Sequence, residues 1–185
     1  MADLAQWIED DCTDLLRRLQ GGVRAHVPAD RRADGAGGNP IVWNTLHIAR
    51  HSALALGVLT SSPWSTPDWL VAIHEAAGNG LQESAAPWAD KLSTSDVDAY
   101  ADDVLAQLRD YLTARRLRAL DLDAVPDTAA GLRAAGLPEA EFGWIYSMWV
   151  NRPVGWLIRW PLIGHSTGHI GEMLATRQRL GLSPF

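Results

Sequence analysis

Apolar residues recur at helical spacing along most of the chain, and no segment shows the alternation of a strand. The first amphipathic stretch predicts a helix over residues 3–20, capped by Asp3 and ended by Gly21-Gly22. Its predicted inward stripe consists of Leu4, Trp7, Ile8, Leu15 and Leu19. Residues 21–38 are rich in glycine and charge, so we expect a loop there.

Start and stop signals place further helices in the middle of the chain. Asn39-Pro40 predicts a helix over residues 40–59, with the asparagine as its cap and Ser61-Ser62-Pro63 as its end. Thr66-Pro67 predicts a short helix over residues 66–80. A third long helix is expected over residues 95–119. Its inward positions are predicted to be Val97, Tyr100, Val104, Leu108, Tyr111 and Leu112.

The last third of the chain contains an irregular part and then a long helical stretch. Residues 121–152 are expected to form an insertion with one or two short helices around Pro138. Pro153 opens the final helical stretch, which Pro161 kinks or restarts and Gly181 ends. The fold class predicted is therefore all-α: a bundle of four main helices with additional short ones, in one domain over residues 1–185.

Composition excludes several classes of protein. A net charge of −6 argues against a broad basic surface for binding nucleic acid. No apolar run approaches the roughly 20 residues of a membrane span, and the acidic N-terminal segment does not resemble a signal peptide. Cys12 is the only cysteine, which fits a cytoplasmic protein without disulfides. We expect Cys12 to be a packing residue, with a nucleophile as the alternative.

Four of the six histidines form two pairs at helical spacing, His47 with His51 and His165 with His169. Residues four apart on a helix lie about 40° apart around its axis and about 6 Å along it, so both rings can reach one ion. Neutral imidazole suits zinc, nickel, copper or iron. The alternative is four core histidines, each satisfied by a hydrogen bond. His26 falls in the predicted loop and is expected to be exposed.

Helix faces distinguish between the members of the first pair. On the second helix His47 shares one side with Trp43, Leu54 and Val58, whereas His51 lies at the margin of that side. His47 is therefore the better candidate ligand, and His51 is an extra ligand or a residue at the pocket edge. If His51 also coordinates the ion, the site closes and the case for catalysis weakens.

Glu172 lies within about 60° of His165 and His169 on the last helix. It is a candidate partner for a ligand imidazole or a proton acceptor, with a solvated helix carboxylate as the alternative. Arg50, one turn after His47, is a candidate for a buried ion pair with Glu172. His74-Glu75 begins a zincin motif, but the second histidine is missing at Gly78.

The segment from Trp43 to Arg50, WNTLHIAR, and the segment from His165 to Glu172, HSTGHIGE, resemble the second-helix and last-helix motifs of the DinB-like superfamily. That superfamily includes thiol-dependent S-transferases. The resemblance implies a DinB-like four-helix bundle in which His47, His165 and His169 bind a divalent metal, often zinc or nickel. His51 occupies a position where relatives often have an acidic or small polar residue.

Three protein ligands leave an open coordination position, which is typical of catalytic sites. The resemblance favours activation of a low-molecular-weight thiol, such as mycothiol or bacillithiol, by an S-transferase or isomerase. Basic residues are nearly all arginine, as in GC-rich bacteria, which favours mycothiol. The alternatives are a metal-dependent hydrolase with Glu172 as base, and a non-catalytic, stress-associated metal-binding scaffold.

The expected partners are a small-molecule thiol and its electrophile. Arg50, Arg152 and Arg159 are candidates for holding an anionic group of either molecule. A cluster of tryptophans is expected to line a pocket or a homodimer face, with packing in the core as the alternative. Its members are Trp144, Trp149, Trp156 and Trp160.

Overall fold

The computed structural model describes residues 3–62 and 91–182, and every regular element in these two ranges is helical. The predicted short helix over residues 66–80 and the His74-Glu75 pair lie outside the described residues. Within the described ranges no helix is both long and apolar enough to cross a membrane.

Four long helices form the bundle, as the hydrophobic pattern predicts. They are α1 (Leu4–Arg17), α2 (Ile41–Thr60), α3 (Thr94–Tyr111) and α8 (His165–Arg179). The short helices are α4 (Ala114–Leu117), α5 (Thr128–Ala134), α6 (Glu139–Trp149) and α7 (Val154–Leu157). Two π-helical segments extend long helices: the first π segment (Arg18–Arg24) follows α1 and the second π segment (Ile158–Gly164) precedes α8.

Helix α2 is the centre of the bundle, because every residue from 41 to 58 is buried. A helix that is apolar or small on nearly all sides is stable only when it is surrounded. Helix α2 packs most extensively on α3 and also contacts α8. Polar side chains on α2 are therefore held inside the protein, and His47 is one of them.

The first helix corrects two predictions. Asp3 caps it as predicted, with Oδ1 accepting a hydrogen bond of 2.9 Å from the amide of Gln6. However, Gly21-Gly22 does not end the helical path, which continues through both glycines in the first π segment. Leu4 and Trp7, predicted to face inward, are 59% and 60% exposed. Periodicity identifies an apolar stripe but not how far the neighbouring helices cover it.

The predicted loop over residues 21–38 is partly helical and is fixed by a buried arginine. Residues 21–24 belong to the first π segment, and Ala29–Arg31 form one 3-10 turn. Arg32 pairs with Asp98 of α3 and donates from Nε to the carbonyl of Val27 at 2.9 Å. These bonds hold the loop against α3 just before α2 begins.

The predicted boundaries of α2 and α3 need small corrections. Pro40, not Asn39, occupies the N-cap of α2, without a side-chain cap bond. Ser61 ends α2 in the left-handed conformation with φ 53°, as its stop signal predicts. The predicted helix over residues 95–119 is divided, because Thr113 caps the separate helix α4. All six predicted inward residues of this stretch are buried.

The last third of the chain follows the prediction closely. Helices α5 and α6 lie on either side of Pro138, which is the N-cap of α6. Pro153 is the N-cap of α7, and Pro161 lies inside the second π segment. A proline inside a helix removes one backbone hydrogen bond, and helices kink at prolines or at π turns. Gly181, with φ +72°, follows the end of α8.

Candidate metal centre

Three of the predicted ligands converge between α2 and α8. Nε2 of His165 lies 3.2 Å from Nε2 of His47 and 3.2 Å from Nε2 of His169. One ligand atom from each ring lies within 4.8 Å of the other two, so the three histidines form a group that is able to hold a metal ion. His47 is buried on α2, whereas the other two histidines are half-buried on the first two turns of α8.

The spacing of the nitrogens fits a shared ion better than a chain of hydrogen bonds. A ring nitrogen carries either one proton or one lone pair, so a single hydrogen bond explains only one of the two contacts at His165. With metal–nitrogen bonds of about 2.0–2.1 Å, two ligands of a tetrahedral ion lie about 3.3–3.4 Å apart. The observed separations of 3.2 Å are close to that value.

The environment keeps the middle ligand neutral. Burial, together with the neighbouring His47 and His169, lowers the pKa of His165 to about 3. Neutral imidazole is the form that binds metals, because its free nitrogen carries a lone pair. Nδ1 of His165 is buried and has no hydrogen-bond partner within residues 3–62 and 91–182.

Glu172 lies beside the ligand group, as its position on the helix predicts. Its Oε2 is 3.2 Å from Nδ1 of His169, and its side chain is 51% exposed. A carboxylate that accepts a hydrogen bond from the distal nitrogen of a ligand fixes the tautomer and aims Nε2 at the ion. Glu172 therefore has the position of a carboxylate partner for His169.

Arg50 does not form the predicted ion pair with Glu172. It is buried on α2, and its Nη1 donates to the hydroxyl oxygen of Tyr100 on α3 at 3.4 Å. The ion pairs of the described residues include none between Arg50 and Glu172. Arg50 is buried with a hydrogen bond to α3, whereas Glu172 is half-exposed beside His169, and this separates the two side chains.

His51 is a neighbour of the ligand group and not a member of it. Its ring centroid lies 4.3 Å from that of His165 and 4.6 Å from that of His47. The side chain is 5% exposed, yet its nitrogens are not part of the group of three ligand atoms. His51 thus packs against two candidate ligands.

Aromatic side chains extend from the interior to the surface beside this cluster. Trp149 is fully buried, with its ring 5.9 Å from His51. Trp144 lies 6.3 Å from His51, and Trp160 lies 6.3 Å from His165. The predicted tryptophan cluster therefore includes members that border the histidines.

The other two candidate arginines have different surroundings. Arg152 stacks over the ring of Trp156 at 5.2 Å and donates from Nε to the carbonyl of Met148. Arg159 lines a separate groove of about 360 Å³ between α1 and the second π segment, together with Ile8. The tryptophan partner places Arg152 within the aromatic cluster, and Arg159 belongs to another surface.

One polar residue near the centre is absent from the sequence prediction. Asn44 is fully buried one turn before His47, and neither atom of its amide has a hydrogen-bond partner within the described ranges. A buried unsatisfied amide group costs about 1–3 kcal/mol. The sequence signal that could have identified Asn44 is its position inside a predicted helix that is otherwise apolar on most sides.

Cys12 and His26 match their predictions. Cys12 is 2% exposed in the core face of α1, and burial raises the pKa of its thiol to about 11. His26 is exposed in the loop after the first π segment. The chain's single thiol is therefore protonated at neutral pH.

We expect native Cys12 to react with Ellman's reagent more than about 100-fold more slowly than the unfolded chain at pH 8. A rise in pKa lowers the thiolate fraction about tenfold per unit, and burial adds a steric barrier. The release of thionitrobenzoate with and without guanidinium measures this ratio. Similar rates in both states would show that Cys12 is an accessible nucleophile.

Comparisons of the chain with protein-family models, with curated proteins and with solved structures find no match.

Proposed function

We propose that this chain is a metal-dependent enzyme of DinB-like type that binds one divalent ion and activates a low-molecular-weight thiol for transfer to an electrophile. The observation that carries the proposal is the convergence of the Nε2 atoms of His47 and His169 on that of His165, at 3.2 Å each. The two sequence motifs that resemble the superfamily contain all three residues.

The residues around the centre have two roles: some bind the ion, and others orient the residues that bind it. The three imidazoles offer nitrogen ligands and leave further coordination positions free. A divalent ion held there would lower the pKa of a coordinated thiol towards neutrality. Glu172 holds the ring of His169 in place and, being half-exposed, is also able to accept a proton that a thiol releases.

A two-part experiment tests the proposal on the full-length protein. Elemental analysis of the purified protein is expected to give about one zinc, nickel or other divalent ion per chain. The chelated and reloaded forms are then assayed with mycothiol, bacillithiol or glutathione and 1-chloro-2,4-dinitrobenzene. In that reaction the sulfur bonds to the ring carbon, chloride leaves with the electron pair, and the thiol proton passes to Glu172 or to buffer.

We expect conjugation that requires both the ion and a thiol and that returns on reloading. An ion-loaded protein that accelerates no thiol reaction would favour the scaffold function, in which the ion joins α2 to α8. Hydrolysis of an ester without a thiol would favour the hydrolase. Protein that neither contains nor takes up a divalent ion would contradict every version of the proposal.

A further inference from the structure

Two of the exposed indoles among the described residues, Trp144 and Trp160, lie beside the histidines of the candidate metal centre, and Met148 is a third exposed apolar residue nearby in the sequence. Trp144, Met148 and Trp160 are 43%, 38% and 44% exposed, respectively. Two of them lie on α6 and one lies on the second π segment, which leads directly into His165. Large apolar side chains in solvent at the edge of a site are typical of binding surfaces.

Two of these residues contact the histidine cluster. The ring of Trp144 lies 6.3 Å from that of His51, and the ring of Trp160 lies 6.3 Å from that of His165. The rings of His51 and His165 are themselves 4.3 Å apart. We name Trp144 and Trp160 the indole rim. Trp160 thus contacts a candidate ligand directly, and Trp144 reaches the same ligand through the ring of His51.

The chemistry of the rim suggests its occupant. A tryptophan face binds a planar aromatic group by offset stacking, with about 0.5–1.5 kcal/mol beyond the burial of area. No arginine or lysine is paired with either rim residue among the described contacts, whereas the half-exposed carboxylate of Glu172 lies beside His169. A neutral planar ring therefore fits this edge better than a carboxylate or a phosphate does.

We infer that the indole rim binds the planar aromatic part of the electrophilic substrate and thereby sets its position relative to the ion. The inference rests on the proposed function, since it names the class of electrophile: neutral aromatic compounds, not aliphatic or anionic ones. Trp160 contacts the candidate ligand His165, and Trp144 contacts its neighbour His51, so the role of the rim is in binding and specificity.

Binding without reaction tests the rim separately from the chemistry. The probe is 2,4-dinitrophenyl methyl thioether, which resembles a conjugate and has no leaving chloride. Equilibrium dialysis against the zinc-loaded protein gives its Kd. We expect Trp144→Ala and Trp160→Ala to raise the Kd about 3–10-fold each, and Trp144→Phe to restore most of the affinity. The matched control is Trp7→Ala on α1, which removes an indole that is 60% exposed but contacts none of the described histidines.

The variants are also assayed with an aliphatic electrophile, iodoacetamide, and by elemental analysis. We expect unchanged metal content, unchanged thiol conjugation of iodoacetamide and slower conjugation of chlorodinitrobenzene, mainly through a higher KM.

An unchanged Kd, or equal losses with both electrophiles, would overturn the inference. A mass that falls from dimer to monomer in Trp144→Ala would also overturn it, because the rim would then be an interface. Probe binding that depends on the rim, without any thiol reaction, would refute the proposed function and leave the rim as a site for aromatic compounds.

Discussion

The His165→Ala variant is expected to bind zinc more than about 100-fold more weakly than the unchanged protein. His165 is the shared member of the group, since its Nε2 is the atom that lies 3.2 Å from both other nitrogens. Removing it leaves two nitrogens on different helices. The loss should exceed the 10–100-fold that removal of a hydrogen-bonded partner behind a ligand causes. Titration against a chromophoric chelator measures the affinity.

Three further variants show whether the loss is specific to the ligand group. Glu172→Gln should weaken zinc binding about tenfold, because the amide orients His169 less firmly than a carboxylate does. His51→Ala should stay within about tenfold, since its nitrogens lie outside the group. His26→Ala removes an exposed histidine and should change nothing. A drop for His51→Ala as large as for His165→Ala would make His51 a fourth ligand and close the site.

The sequence predicts the relative positions of those residues of the centre that lie on the same helix. His165, His169 and Glu172 are neighbours on α8, and a spacing of three or four residues is sufficient to place them on one face. The preference for His47 over His51 is also a local argument, from positions around α2. In the structure, the group that is able to hold an ion contains His47 and not His51.

Features that depend on several elements were not predictable in the same way. The prediction of an ion pair between Arg50 and Glu172 was wrong, because it depended on the distance between two helices. A helical wheel gives positions around one helix only. The exposure of Trp7 depends on which neighbours cover α1. The π segments add one residue per turn without a distinct sequence signal, and the second of them precedes His165. Pro161 marked the position of a change in the helix but not its type.

The Trp43→Ala variant is expected to lower the free energy of unfolding by about 3–5 kcal/mol, which is a large part of the stability of an ordinary domain. Trp43 is fully buried on α2 and is among the largest buried side chains. Its ring centroid lies 5.5 Å from that of His47, one turn further along the helix. The same truncation therefore opens a cavity in the core and removes the ring that packs against His47 and limits the rotation of its side chain. Unfolding of the chelated protein in guanidinium measures the first effect.

A matched control separates the two consequences of this substitution. Leu108 on α3 is equally buried and contributes to the same core, and Leu108→Ala should cost about 2–5 kcal/mol. We expect Trp43→Ala to weaken zinc binding as well, whereas Leu108→Ala should retain the affinity of the unchanged protein at temperatures where both variants are folded. The contrast follows from packing, because an imidazole binds an ion tightly only if its rotamer is already fixed by its neighbours. Equal zinc affinities in the two variants would show that α2 alone orients His47. In that case the buried tryptophan stabilises the fold without contributing to the centre.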